Sequence, residues 1–353
     1  MLWDLVRANI ACCVPAAYSE KIFTIKANRT FEPGFILSDA KNCVILNQKE
    51  GENMGTPVLF EELTLDLALE LAQTRGIIIF PVATTEAHGN HLPLGTDTFT
   101  AEWIAKELSS ITGLPALVPT PIRAGASPTF HYDTKGDPIL GTLAISHSTM
   151  QALIKDICRG LWSTGFRKII IVQGHGQEAN FQVIAHEVAT DLRRENKSLF
   201  IAAATYWELA AQILRETLNT PFYHAGEEET SNVLFARPDL VKKDAITGKE
   251  LKPLLDKSIL KRAITHDETE TFSVMDVASF LPIPEVGQIK SAGVGSIENI
   301  NSASAEKGQK VLTRAMERYL ALIRDLETHY APQEVPGIDV RERPESPRFT
   351  VDY

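Results

Sequence analysis

Continuous apolar runs and segments of helical period alternate along the middle of the chain. Residues 62–74 (ELTLDLALELAQT) place apolar side chains at helical spacing, and GIIIFPV (76–82) follows as a short unbroken apolar run. Such a run suits a strand buried on both faces of a parallel sheet. The alternation continues with a helix at 98–110, a short strand at 115–118 (PALV) and an amphipathic helix at 148–164. RKIIIVQGHG (167–176) reads as a buried strand ending in a glycine turn, 178–196 as a helix and LFIAAATYW (199–207) as a third strand. Helices at 228–236 and 304–326 complete the pattern. Strands alternating with helices predict an α/β fold with a central, mostly parallel sheet covered on both faces.

The two ends depart from this pattern. Residues 1–60 read as an N-terminal extension, with a β-hairpin where FIL and CVIL flank Ser-Asp-Ala-Lys-Asn. Residues 331–353 are rich in Pro and charge and read as an extended arm that orders by packing on a neighbour. The regular core spans 61–330.

Charge and cysteine content narrow the function. A net charge of -10 argues against nucleic acid and against anionic membrane surfaces as partners. The four cysteines are too few and too irregularly spaced for a disulfide framework, and no CxxC pair offers a cysteine zinc site. Asp4 and Arg7 interrupt the N-terminal apolar residues, so no signal peptide is expected there. A reduced, cytoplasmic setting is the expectation.

The chemistry gathers beyond two predicted strand ends, where open α/β sheets place functional residues. The first strand runs into TTEAHGNHLPLGTDT (84–98) and the second into QGHGQEAN (173–180). Glu86 and His88 are two apart, so an extended backbone turns both to one side. Asp97 returns after a Pro-Leu-Gly turn, and His175 arrives from the adjacent strand. Two carboxylates and two imidazoles suit Zn²⁺, Mn²⁺ or Fe²⁺. Each residue alone has a plainer reading: a lone loop histidine is usually structural, and a lone aspartate before a helix is usually an N-cap. The joint pattern at two strand ends favours a metal site.

These residues also carry a resemblance. PVATTEAHGNHLPLGTDT resembles the creatininase-family signature, in which a strand leads to Glu-x-His-Gly, His-Leu-Pro-Leu and Gly-Thr-Asp. VQGHGQEAN is similar to that family's Asn-Gly-His-Gly-Gly-Asn, and HAGEEETSNVLFARPDLV (224–241) resembles its third motif. The resemblance implies a three-layer α/β sandwich, two divalent metal ions per chain and a homo-oligomer, often a hexamer. It implies that Glu86 and His175 bind one metal, His88 the other, and that Asp97 bridges them. Glu229 would complete or support the site, and His224 would shuttle protons. Implied too is a hydrolase in which a metal-bridging hydroxide cleaves a C–N bond in a small polar ring or amide. Some relatives instead cleave a C–C bond in a cyclic diketone derived from an inositol.

Departures from the motifs bear on the substrate. Where creatinine hydrolases carry a glutamate two residues after the second-motif histidine, this chain has Gln177, followed by Glu178. Glu178 is therefore a further catalytic-site candidate, as a ligand or as the acidic opening of the next helix. Leu140 stands where the family usually has Pro, while His131 sits at a position often facing the substrate. Tyr223 and Trp207, with Tyr206 and Phe222, either line a substrate pocket or pack in the core. His91 either orients a ligand from behind or holds its turn. Of the acidic run Glu227–Glu229, one residue is expected in the site and the others partly solvated. A non-catalytic metal-binding subunit is a weaker alternative, since all four principal ligand candidates are present. A nucleotide binder is weaker still, since neither GxGxxG nor GxxxxGK[ST] occurs.

Overall fold

A computed structural model describes residues 55–125, 140–176, 181–195, 197–219, 224–245 and 300–335. Three strands, β1 (Ile77–Val82), β2 (Lys168–Gln173) and β3 (Phe200–Thr205), pair in parallel in the order β1-β2-β3. Ile77 is opposite Lys168, and Lys168 opposite Phe200, so β1, β2 and β3 end level with one another. Eight α-helices lie among the described residues. They are α1 (Leu65–Thr74), α2 (Thr96–Thr112), α3 (His147–Thr164), α4 (Phe181–Arg194), α5 (Tyr206–Leu209), α6 (Ala211–Thr217), α7 (Glu227–Ala236) and α8 (Ala305–His329).

The Ile-rich runs form buried strands because both faces of the sheet are covered. Ile77, Ile79, Ile170 and Val172 face a core built with Ala101, Ile104 and Leu108 of α2, Leu214 of α6 and Val311, Ala315 and Tyr319 of α8. Ile78, Phe80, Val82, Ile169 and Ile171 face a second core with Ala72 of α1, Met150, Ile154 and Cys158 of α3, and Val188 and Leu192 of α4. Two cores, one on each side of a parallel sheet, make the three-layer α/β sandwich that the alternation predicts. Local signals set several boundaries. Ser146 accepts from Thr149 N at 3.1 Å to cap α3, and Gly113 and Gly165 end α2 and α3 in left-handed backbone.

The structure corrects three boundaries. Residues 115–118 make isolated bridges rather than a strand. Ala116 bridges Ile79 and Leu59, and further along Ile122 O and Arg123 O accept from Ala83 N and Thr85 N without forming a strand. The third strand stops at Thr205, because its side chain accepts from Glu208 N and opens α5, which takes the last two residues read as strand and with α6 fills a stretch given no element by the pattern. The helix expected at 98–110 begins at Thr96, so Asp97 lies inside its first turn and not at the cap. The C-terminal residues 331–335 pack on their own chain: Gln333 Nε2 donates to Ala72 O, and Lys168 Nζ donates to Tyr330 O (3.0 Å) and Ala331 O (2.9 Å). This lysine, at the start of an otherwise apolar strand, thus caps the C-terminal end of α8, where a cation is favoured. The proposed β-hairpin, residues 336–353 of the C-terminal arm, His131, Glu178 and Tyr223 lie outside the described residues.

The helix pair α7 and α8 carries the third motif and meets at very short range. A Cβ on Gly308 would collide with Ser231 O and come within 2.8 Å of Asn232 N. An Ala at a helix position usually gains about 1 kcal/mol over Gly. Here overpacking against backbone costs about 1–3 kcal/mol or more, and the clash wins. Gly308→Ala is therefore expected to lower the melting temperature. An unchanged or raised melting temperature would show that the two helices separate freely.

Candidate metal centre

Four segments bring the site together at one end of the sheet. The turn after β1 supplies Glu86 and His88, the first turn of α2 supplies Asp97, and the end of β2 supplies His175. The turn leading into α7 brings His224, and the first turn of α7 brings Glu229. Thr98 Oγ1 donates to Thr84 O at 2.9 Å and ties the start of α2 to the β1 turn, while Leu94 O accepts from Glu86 N at 2.9 Å.

The side chains converge on Asp97. Its Oδ1 lies 3.0 Å from His88 Nε2 and its Oδ2 lies 2.9 Å from His175 Nδ1. Glu86 Oε1 is 3.4 Å from His175 Nδ1 and 3.4 Å from His224 Nδ1, and Glu229 Oε2 is 3.5 Å from His88 Nε2. Three overlapping groups have ligand atoms close enough to share an ion: Glu86–Asp97–His175, His88–Asp97–Glu229 and Glu86–His88–His224. Gly125 backs the first group. A Cβ there would come within 2.7 Å of His175 Nε2 and 3.0 Å of Thr84 Oγ1, so only glycine lets the backbone approach the ring this closely.

Hydrogen bonding fixes how two of the rings present themselves. His88 Nδ1 lies 3.0 Å from Glu86 O, and His224 Nε2 lies 2.7 Å from Ala87 O. A carbonyl only accepts, so each of these nitrogens carries a proton. In the neutral ring the lone pair of His88 Nε2 then faces carboxylate oxygens. That atom is buried and finds no aligned hydrogen-bond partner among the described residues. Three acceptors pointing at one another require a positive charge between them.

The proton equilibria report the same demand. Burial opposes charge on His88, yet Asp97 and Glu229 outweigh it and hold the ring well above its usual range. Burial likewise opposes charge on His175, but Glu86 and Asp97 raise it to about 9. Burial alone would raise Asp97; the His88 charge and the bonds from His175 and His88 pull it below the ordinary carboxylate range. Burial raises Glu229 despite His88. The donor set, buried nitrogen and carboxylate oxygen around a site short of positive charge, fits a divalent cation.

The surrounding residues change two expectations. Glu227 and Glu228 are fully buried, not solvated. Glu227 pairs with Lys307 of α8 and accepts from Asn219 N at 2.9 Å. Glu228 accepts from Tyr206 Oη at 3.2 Å and from Asn232 Nδ2, and burial with the Glu229 charge pushes it well above the usual range. Tyr206 and Trp207 stack edge to face at 5.0 Å, and Trp207 packs against the α2–α8 core. Both readings of Trp207 remain open, since a half-buried ring at the edge of the core can also border a pocket. Sequence reasoning missed Gly125, Thr230 and Asn232: the partners of Gly125 and Thr230 are 41 or more residues away, and Asn232 meets Glu228 one helical turn back on a face that turns inward.

Known proteins resemble this chain in sequence and in fold. The family model described as creatininase, creatinine amidohydrolase, matches residues 61–323. The 3-dehydro-scyllo-inosose hydrolase of Thermotoga maritima is 27% identical over 81% of this chain and 88% of its own. The creatinine amidohydrolase of Pseudomonas putida is 24% identical over 77% of this chain and 98% of its own. A solved structure named creatininase Mn superposes with a TM-score of 0.57 at 22% identity, covering 76% of this chain and 98% of its own. Among the described residues no helix is long and apolar enough to cross a membrane. With the family model covering most of its length and the fold shared, this chain is an enzyme of the creatininase family of hydrolases.

Proposed function

We propose that the chain holds two divalent ions, one on Glu86, Asp97 and His175 and one on His88, Asp97 and Glu229, and hydrolyses a small polar cyclic substrate. The observation that carries this reading is Asp97, whose two oxygens face histidines on opposite sides at 3.0 and 2.9 Å. When bound, a pair of such ions lowers the pKa of water and polarises a substrate carbonyl. Zn²⁺, Mn²⁺ and Fe²⁺ all suit the donors, and the manganese form of the solved relative supports Mn²⁺ among them.

The protein's own residues set the geometry and move the proton. Asp97 fixes the spacing of the two groups. Glu229 is aimed by the Ala225 N–H, which donates to its Oε2. His224 is pinned through Nε2 to Ala87 O, so Nδ1 is the ring atom turned into the site. The side chains of Glu86, His88, Asp97 and His175 are at most 3% exposed, whereas His224 and Glu229 are 13% and 14% exposed. The site therefore opens on the His224 side, and a substrate entering there meets an imidazole that can take up a proton and return it to the leaving atom.

Two bonds compete as the target. A C–N bond in a lactam or amide is the reading closest to the creatinine-hydrolysing relative. A C–C bond beside a ring ketone is favoured by the match to the inosose hydrolase, which is the more extensive of the two over this chain. Full loading with Mn²⁺ or Zn²⁺ followed by elemental analysis is expected to give about two ions per chain, and no more than one would sink the paired site. A panel of lactams, formamides and inositol-derived ketones, assayed with and without added metal, is expected to show turnover only with metal and to choose between the bonds.

A further inference from the structure

We infer that His91 is a positioning residue for the second ligand group: it clips the turn before α7 so that Glu229 points at His88 and Asp97. The inference rests on the two-ion reading above and concerns what holds half of that site in place.

The second group is assembled from segments far apart in sequence. His88 and Asp97 belong to the β1–α2 connection, and Glu229 belongs to α7, about 130 residues later. Glu229 takes its direction from Ala225, whose backbone N–H donates to Glu229 Oε2, the same oxygen that faces His88. Ala225 adopts φ 50°, a left-handed conformation that a residue with a Cβ rarely takes and that costs on the order of 1–3 kcal/mol. Such a residue keeps that shape only when its surroundings hold it.

His91 is what holds it from the other side. The ring is buried, its Nε2 lies 3.0 Å from Thr230 Oγ1, and the Ala225 backbone lies beside the ring. With Nε2 facing the Thr230 hydroxyl, the other ring nitrogen is the one left for the Ala225 backbone. Ala225 and Thr230 bracket Glu229. The backbone of His91 is itself anchored, its carbonyl accepting from Lys242 N at 2.9 Å. One side chain thus ties the segment bearing His88 and Asp97 to the helix turn that carries Glu229. Groups that orient a metal ligand from behind typically affect affinity by about 10–100-fold.

The test is titration of the full-length, metal-stripped chain with Mn²⁺, following both binding steps by calorimetry beside the melting temperature. His91→Ala is expected to weaken the second ion by about 10–100-fold and leave the first unchanged. His91→Asn, whose amide keeps a donor near the Ala225 backbone, is expected to recover most of the loss. If His91→Ala does not fold, Thr230→Val removes only the hydroxyl and is expected to shift the second step in the same direction. Equal weakening of both ions, or an unaltered second step in the folded variant, would overturn the role of His91. A wild-type chain that takes up a single ion fails on a separate arm: it overturns the two-ion reading and the inference with it.

Discussion

Asp97→Asn is expected to strip both ions from the chain and to lower turnover by about 10³-fold or more. Polarisation by bound metal contributes several kcal/mol to such a reaction, and each 1.36 kcal/mol is tenfold in rate. Asp97 is the residue common to the Glu86–Asp97–His175 and His88–Asp97–Glu229 groups. Asparagine keeps its shape but replaces one anionic oxygen with an NH₂, which only donates. One histidine then loses its facing oxygen whichever way the amide turns, and both groups lose half of a shared negative charge. Loss of any other single ligand would leave one group of three intact. The fold should survive, because the start of α2 is tied independently through Thr98 Oγ1 and Thr84 O. Metal content, circular dichroism and turnover measured on the same preparation separate the outcomes. A folded variant that still carries two ions, or that keeps turnover within about tenfold, would remove Asp97 from the centre of the site.

What was legible in the sequence follows from how local each signal is. The strands GIIIFPV and RKIIIVQ are continuous apolar runs because the sheet is covered on both faces, so their pattern survives without knowledge of their partners. Glu86, His88 and His175 were legible as candidates for the same reason: they follow those strands closely, and strand ends are where such sheets gather chemistry, while Asp97 came with them in the connection that leads from β1 into α2. Glu229 and His224 were not legible from pattern, since they sit at the start of a helix remote in sequence; only the third motif pointed to them. The failures are competitions that a linear pattern does not show. Thr205 continues an apolar run, yet its hydroxyl caps α5 and ends β3. Glu227 and Glu228 look solvated because they are three acids in a row, but Lys307, Tyr206 and Asn232 reach them from other helices and bury them. Lys168 opens an Ile-rich strand, and its charge ends up on carbonyls at and just past the C-terminus of α8.

His224→Ala is expected to keep both ions and to lose about 10²–10⁴-fold in turnover, the range typical of a general acid–base group. The geometry gives His224 two rival roles. It belongs to a ligand group with Glu86 and His88, and its ring lies 4.4 Å from that of His88, as a third metal-binding imidazole would. Against this, Glu86 and His88 each belong to another group as well, so neither ion needs His224 to reach three protein ligands. Its exposure also differs from theirs, 13% against at most 3%, which suits the rim of the site rather than its floor. With Nε2 committed to Ala87 O, a proton taken at Nδ1 yields an imidazolium stabilised on one side by a carbonyl and on the other by Glu86 Oε1 at 3.4 Å. That arrangement suits a group that gains and loses a proton in each turnover. Metal content and melting temperature measured beside activity decide among the roles. Loss of an ion in His224→Ala would make it a ligand, and a lowered melting temperature with both ions kept and turnover little changed would make it a packing residue. Both ions kept, stability kept and turnover lost would identify His224 as the residue that moves the proton.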